Sequence, residues 1–176
     1  VVESMPAESA VLELVGAHLQ PAVPDWRIRS AQLIAYPAVP GVPGMTLKDG
    51  EQHWTVDPAS LDYARRFGSL LGRLHGIDAG QARAAGVEIR TPQQVRQQWR
   101  EDIEKVTAHF QVHPARTDQW QHWLSQDVYW PERTVMTHGE IYPGHVLVDE
   151  SGAITGVIDW TTARVDDPAR DLVFSY

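Results

Sequence analysis

Three prolines and two glycines fall within the eight residues Pro37-Ala38-Val39-Pro40-Gly41-Val42-Pro43-Gly44, and no other stretch narrows the possible folds as much. Proline fixes φ and gives up a backbone donor, so such a run can be neither a helix nor a central strand. It reads as a stiff connector that divides residues 1–44, the end of one lobe, from residues 45–176, a larger helical lobe. Ahead of it, Ser4-Met5-Pro6 can open a helix whose one face reads Glu8, Leu12, Val15 and Leu19. Two readings of Glu8 stand side by side: a carboxylate aimed at the interior that needs a partner, or a first-turn acid that complements the helix dipole. Trp26 to Tyr36 reads as a strand or strand pair.

Beyond the connector three helices are expected. Asp57-Pro58 opens one that carries Leu61, Ala64, Phe67, Leu71 and Leu74 and stops near Gly76. Thr91-Pro92 opens a second with Val95, Trp99, Ile103, Val106 and Phe110, and a third, over roughly 114–127, holds Trp120, Trp123 and Leu124. Apolar residues at this spacing are read as core.

The last quarter gathers the chemistry. Thr134-Val135-Met136 runs as a strand into His138-Gly139-Glu140, and Val146-Leu147-Val148, the turn Asp149-Glu150-Ser151-Gly152 and Ile154 to Ile158 form a hairpin that ends at Asp159. A hairpin brings the residue before its first strand beside the residue after its second, so His145 and Asp159 are expected neighbours. With Glu140 on the intervening loop, two carboxylates and an imidazole surround a kinked backbone, which supplies a general base and an ion-binding edge. His138 reads as a scaffold histidine bonded to loop carbonyls, and Asp166, Asp167 and Asp171 as caps and tethers of a helix that starts near Pro168.

Composition narrows the function classes. With 176 residues and 43% hydrophobic content there is enough apolar material for one globular core. The absence of cysteine removes disulfides, thiol nucleophiles and cysteine metal sites. No apolar run reaches membrane-spanning length, no signal-peptide pattern is present, and a cytoplasmic setting is the expectation. A net charge of −8 argues against binding nucleic acid backbones and suits a cationic small molecule.

Taken together, His138-Gly139-Glu140, His145 after four intervening residues, Ile158-Asp159-Trp160 and Asp167-Pro168-Ala169-Arg170-Asp171-Leu172 resemble the catalytic core of the aminoglycoside phosphotransferase family, the small-molecule branch of the protein-kinase-like fold. Histidine rather than asparagine at position 145 resembles the macrolide 2'-phosphotransferase branch. So do Val23-Pro24-Asp25-Trp26, Leu33-Ile34-Ala35-Tyr36-Pro37, Ile89-Arg90-Thr91-Pro92 and Ala163 to Pro168.

The resemblance implies an α+β, protein-kinase-like fold and transfer of the γ-phosphate of GTP (or ATP) to the 2'-hydroxyl of a macrolide, with Mg2+. By the same resemblance Glu140 takes the place of the catalytic aspartate, His145 the second magnesium or phosphate contact, and Asp159 the principal magnesium ligand. Glu8 matches the glutamate that pairs with a phosphate-anchoring lysine, and Tyr36, Pro37, Ala38 and Val39 match the hinge whose backbone reads the purine.

Two departures qualify the expectation. Glu140 is one carbon longer than aspartate, which moves its carboxylate by about 1.5 Å, a displacement able to cost on the order of a hundredfold in rate. The strands that carry the nucleotide loop and the lysine, and the later helices, are missing, so the chain reads as a fragment expected to be inactive alone. Competing readings are a kinase of an aminoglycoside, choline or homoserine, a non-catalytic kinase-like binding module, and a metal-dependent hydrolase built from His138, Glu140, His145 and Asp159.

Overall fold

The computed structural model describes residues 5–30 and 32–173. Helix α1 (Met5–His18) comes first, and its apolar face, Val11, Leu12, Val15 and the following Leu19, is buried. Ser4, expected to open this helix, lies outside the described residues, as do Phe174 to Tyr176. Strands β1 (Ile28–Arg29) and β2 (Ile34–Ala35) form the expected antiparallel pair.

The proline-glycine run is extended, and its end forms β3 (Val42–Pro43). β3 pairs antiparallel with β7 (Val146–Val148), which pairs in turn with β8 (Ile154–Val157), so β3 is the edge of a three-stranded sheet. An edge is where proline is tolerated in a sheet.

A hairpin follows that the sequence reading did not separate out: β4 (Met45–Lys48) and β5 (Glu51–Trp54). Its turn is Asp49-Gly50, both with positive φ of 54° and 83°, the conformation that two-residue hairpin turns demand.

Helix α2 (Leu61–His75) begins three residues later than Asp57-Pro58 suggests. Asp57 spends its side chain on the N–H of Ala59, and Ser60 caps the helix through the N–H of Tyr63. Leu61 therefore sits outside the first turn's buried face and is exposed. A short helix α3 (Ala79–Ala84), capped by Asp78, adds a fourth helix to the three expected. α4 (Pro92–His109) carries a complete capping box between Thr91 and Gln94. α5 (Pro114–Ser125) ends before a single 3-10 turn at Asp127–Tyr129.

The aromatic positions of α4 correct the expectation of core. Val95 and Ile103 are buried, but Trp99 is 44% and Phe110 69% exposed. Trp99 stands edge-on to Trp123 at 5.6 Å.

The remaining strands, β6 (Val135–Thr137) and β9 (Arg164–Asp166), pair antiparallel with Val135 opposite Asp166. The helix expected near Pro168 is a 3-10 turn, Pro168–Leu172, capped by Asp167. One hydrophobic cluster joins α1, α2, α3, β6, the β7–β8 hairpin and Trp160. α1 is thus part of the same core that supports the C-terminal loop. Among the described residues no helix is long and apolar enough to cross a membrane.

Candidate active site

The site is built on the loop between β6 and β7 and on the residue that follows β8. A hydrogen bond from the N–H of Ile158 to the carbonyl of His145, 3.0 Å long, extends the hairpin ladder one step beyond β7 and β8. That step sets Asp159 beside His145, whose Nε2 lies 3.4 Å from Oδ2 of Asp159. The neighbours expected from the hairpin are neighbours in space.

Asp159 holds a left-handed backbone, φ 64°, which aspartate and asparagine adopt more readily than other residues with a Cβ. The hydroxyl of Thr161 donates to its Oδ1 at 2.8 Å. Thr161 was not singled out from the sequence; a hydroxyl two residues beyond an expected ligand is the signal that was there to read.

His145 is fixed from three sides. Its Nδ1 donates to the carbonyl of Glu140 at 2.9 Å, the ring of Tyr142 stands edge-on at 4.3 Å, and the ring of His138 lies at 5.9 Å. The same hydrogen bond uses the backbone of Glu140 and leaves its side chain exposed at the loop surface.

His138 is a scaffold residue, as its loop position suggested. It is fully buried, donates from Nε2 to the carbonyl of Ile158 at 2.9 Å, and packs 4.6 Å from the ring of Trp160. Burial pushes its pKa down, partly offset by the Ile158 carbonyl and by Asp171, so the ring is neutral and serves as a strut.

Asp171 ties the loop to the rest of the fold. It is wholly buried, with Oδ2 accepting from the N–H of His138 at 3.1 Å and Oδ1 from the N–H of Gly139 at 2.7 Å. Oδ2 also accepts from Nε2 of His75, at the end of α2, at 2.9 Å. The tether was expected from the sequence, but the partnership with His75 was not, because nothing local joins residues 96 positions apart. Gly139 bends the loop with φ +86°, and a Cβ there would press on the carbonyl oxygen of Thr162. Asp167 caps Pro168–Leu172 and Asp166 sits among Arg90, Arg164 and Arg170, as structural rather than site groups.

Glu8 is partly buried in the first turn of α1. Burial, and then the charge of Asp159, push its carboxyl above the usual range. Among the described residues no cation pairs with it. An acid raised in the fold contributes stability that is intact below its unfolded pKa and lost as pH rises through the raised value. Glu8→Gln is therefore expected to raise the melting temperature near pH 7 and to give no gain near pH 3. Thermal unfolding at the two pH values checks it.

Tyr36, Pro37, Ala38 and Val39 form the extended stretch that follows β2. None of their backbone N–H or C=O groups has a hydrogen-bond partner among the described residues. Val39 rests over Gly156, which has no room for a Cβ. Among the described residues no three histidine or carboxylate side chains converge on one point. The site therefore offers a cation one imidazole nitrogen and one carboxylate, and leaves its other positions to different ligands.

The comparisons with known proteins agree with this architecture. The crystal structure of macrolide 2'-phosphotransferase MphH from Brachybacterium faecium, in its apoenzyme form, is 50% identical and superposes with a TM-score of 0.91 over 98% of this chain and 58% of its own. A structure of macrolide 2'-phosphotransferase type I is 39% identical, TM-score 0.89, with 100% of this chain and 62% of that chain covered. YcbJ, an uncharacterized protein of Bacillus subtilis (strain 168), is 38% identical over 98% of this chain and 58% of its own length. The GDP complex of wild-type aminoglycoside 2'-phosphotransferase-IIIa, 22% identical with a TM-score of 0.74 over 98% of this chain and 60% of that one, shares the fold. The chain thus spans about three fifths of the length of these relatives. The fold is the kinase-like one of the aminoglycoside phosphotransferases. A family model described as "Phosphotransferase enzyme family" matches residues 1–176, and the chain belongs to that family.

Proposed function

We propose that the full-length protein transfers the γ-phosphoryl group of GTP (or ATP) to the 2'-hydroxyl of a macrolide. The observation that carries the reading is the pair formed by Nε2 of His145 and Oδ2 of Asp159, 3.4 Å apart, directly behind a loop that presents an exposed Glu140. Identity of 50% and 39% to two macrolide 2'-phosphotransferases supports the choice of acceptor.

In the reaction the acceptor oxygen attacks the γ-phosphorus, its bond to phosphorus forms, and the bridge to the β-phosphate breaks to release the nucleoside diphosphate. Glu140 takes the hydroxyl proton on its carboxylate. Asp159 and His145 suit a divalent cation, because the pair supplies one hard oxygen and one nitrogen lone pair and leaves room for phosphate oxygens and water. When bound, Mg2+ neutralises the charge that builds on the phosphates. Thr161 holds Asp159 in place, and Asp171 holds the loop so that Glu140 need not be reoriented at each turnover.

The unpartnered backbone of Tyr36 to Val39 offers donors and acceptors to a purine edge. Glu8 awaits the phosphate-anchoring lysine, and since no cation meets it among the described residues, the 176 residues alone are proposed to be inactive. Residues 1–44 would then close an N-terminal lobe and 45–176 form a C-terminal one. The acidic balance of the chain, −8, favours the protonated amino sugar of a macrolide and disfavours nucleic acid. Dependence on a nucleoside triphosphate fits a cytoplasmic setting.

The role of Glu140 is tested by replacement. Glu140→Gln, which cannot take the proton, is expected to lower kcat by about a hundredfold or more with KM for the macrolide little changed. Glu140→Asp, which keeps the carboxylate but shifts it by about 1.5 Å, is expected to leave turnover above that of Glu140→Gln. A steady-state comparison of the three proteins decides, and equal turnover by Glu140→Gln would remove Glu140 from the chemistry.

A further inference from the structure

Three arginines crowd a single carboxylate oxygen beside the C-terminal loop. Oδ2 of Asp166 lies 2.7 Å from Nε of Arg164, 3.7 Å from Nη1 of Arg90 and 3.8 Å from Nη1 of Arg170. Its Oδ1 accepts from the N–H of Asp167 at 2.8 Å. Of the three arginine contacts only that of Arg164 has hydrogen-bond length. Among the described residues one further acid touches the group: Glu88, 2.7 Å from Arg90 and 3.9 Å from Arg164. Asp171 spends its oxygens on His138, Gly139 and His75. Three guanidinium groups therefore meet two carboxylates in direct contact, an excess of one positive charge. Water does little to spread that charge, since the three side chains are only 21%, 19% and 28% exposed. The Nε of Arg170 is buried without a hydrogen-bond partner among the described residues. Burial, and then the neighbouring charge of Arg164, push the pKa of Arg170 down, as expected of a cation short of counter-charge.

The three arginines line a cavity of about 280 Å3 to which α4 adds Gln98, Trp99 and Asp102. Asp102 is already engaged, since its Oδ1 accepts from Nε2 of Gln98 at 3.0 Å and from Nζ of Lys105 at 3.4 Å. A guanidinium presents five donors in a fixed fork that matches phosphate oxygens in pairs. A tetrahedral group with several acceptor oxygens can therefore meet several forks, where Asp166 offers all three a single oxygen. We infer that Arg90, Arg164 and Arg170 form a binding site for a phosphate group, separate from the His145–Asp159 pair. Arg170 also donates from Nη2 to the carbonyl of Gly139 at 3.4 Å, so the site adjoins the loop that carries Glu140.

The test uses the full-length protein labelled with 5-fluorotryptophan, free of Mg2+ and nucleotide, with inorganic phosphate as the probe. The 19F resonance of Trp99 is assigned by its absence from Trp99→Phe. That resonance is expected to shift saturably, with half-saturation at about 1 mM phosphate or below, and to stay in place with chloride at matched ionic strength. Arg90→Gln is expected to raise the half-saturation point by about tenfold. Arg90→Lys, which keeps the charge and loses the fork, is expected to fall between the two, and it decides the comparison should Arg90→Gln prove unfolded. Arg65→Gln, which alters an exposed arginine on α2, is expected to match the wild type. A Trp99 resonance that does not respond to phosphate overturns the inference. So does an equal shift with chloride, or an affinity unchanged by replacement of Arg90. None of these results bears on phosphoryl transfer at His145 and Asp159, so the two readings fail separately.

Discussion

Asp171→Ala is expected to lower the free energy of unfolding by about 3–5 kcal/mol, the largest stability effect of any single change in the C-terminal loop. The carboxylate is fully buried and accepts from three donors: the N–H groups of His138 and Gly139 and Nε2 of His75. Removal leaves two backbone N–H groups without an acceptor in a buried site, at about 1–3 kcal/mol each, and a histidine without its partner. Asp171→Asn keeps one acceptor oxygen but turns an NH2 toward one of the donors, so it is expected to fall between the wild type and Asp171→Ala. Urea unfolding followed by tryptophan fluorescence measures both. A loss below about 1 kcal/mol for Asp171→Ala would mean that the tether carries little of the fold. A functional consequence is expected as well, since the same two N–H groups immediately precede Glu140, the residue proposed to take the acceptor's proton.

Asp159→Asn is expected to have the opposite profile, a large loss of turnover with little loss of stability. Asparagine adopts the left-handed backbone as readily as aspartate does and can still accept the hydroxyl of Thr161. It also removes the charge that, after burial, adds to the upward push on the Glu8 carboxyl, so the melting temperature is expected to hold or rise slightly. What it forfeits is the anionic oxygen opposite His145. If the site transfers phosphoryl groups as proposed, loss of that charge is expected to lower kcat/KM by about a thousandfold or more. Kinetics and thermal unfolding of the same preparation separate the two effects. A variant that unfolds early and is inactive for that reason would instead make Asp159 a structural residue.

The contrast between these two residues tracks what was legible in the sequence. The hairpin that joins His145 to Asp159 is local: two β-branched runs around Asp149 to Gly152 leave few other ways to pair, and the register that follows brings the two side chains together. The scaffold role of His138 and the cap at Asp167 are local as well. The bond between His75 and Asp171 spans two elements that only the packed core brings together, and no pattern in either segment announces it. The β4–β5 hairpin was missed because its strands are almost wholly exposed and so lack the alternation that burial imprints, although Asp49-Gly50 was a sufficient signal on its own. Trp99 and Phe110 show the converse limit. Helical spacing defines a face and says nothing of what covers it, and in this structure that face is covered at Val95 and Ile103 and open at Trp99, Val106 and Phe110.

The most direct test of the account is the mass of the product formed when the full-length protein is incubated with Mg2+, either GTP or ATP, and in turn erythromycin, kanamycin and choline, beside the Asp159→Asn variant. The account predicts that the macrolide alone gains one phosphoryl group, at its 2'-hydroxyl, and that the variant forms almost none. Phosphorylation of kanamycin or choline in its place, no phosphorylated product with either nucleotide, or equal product from the variant would contradict it.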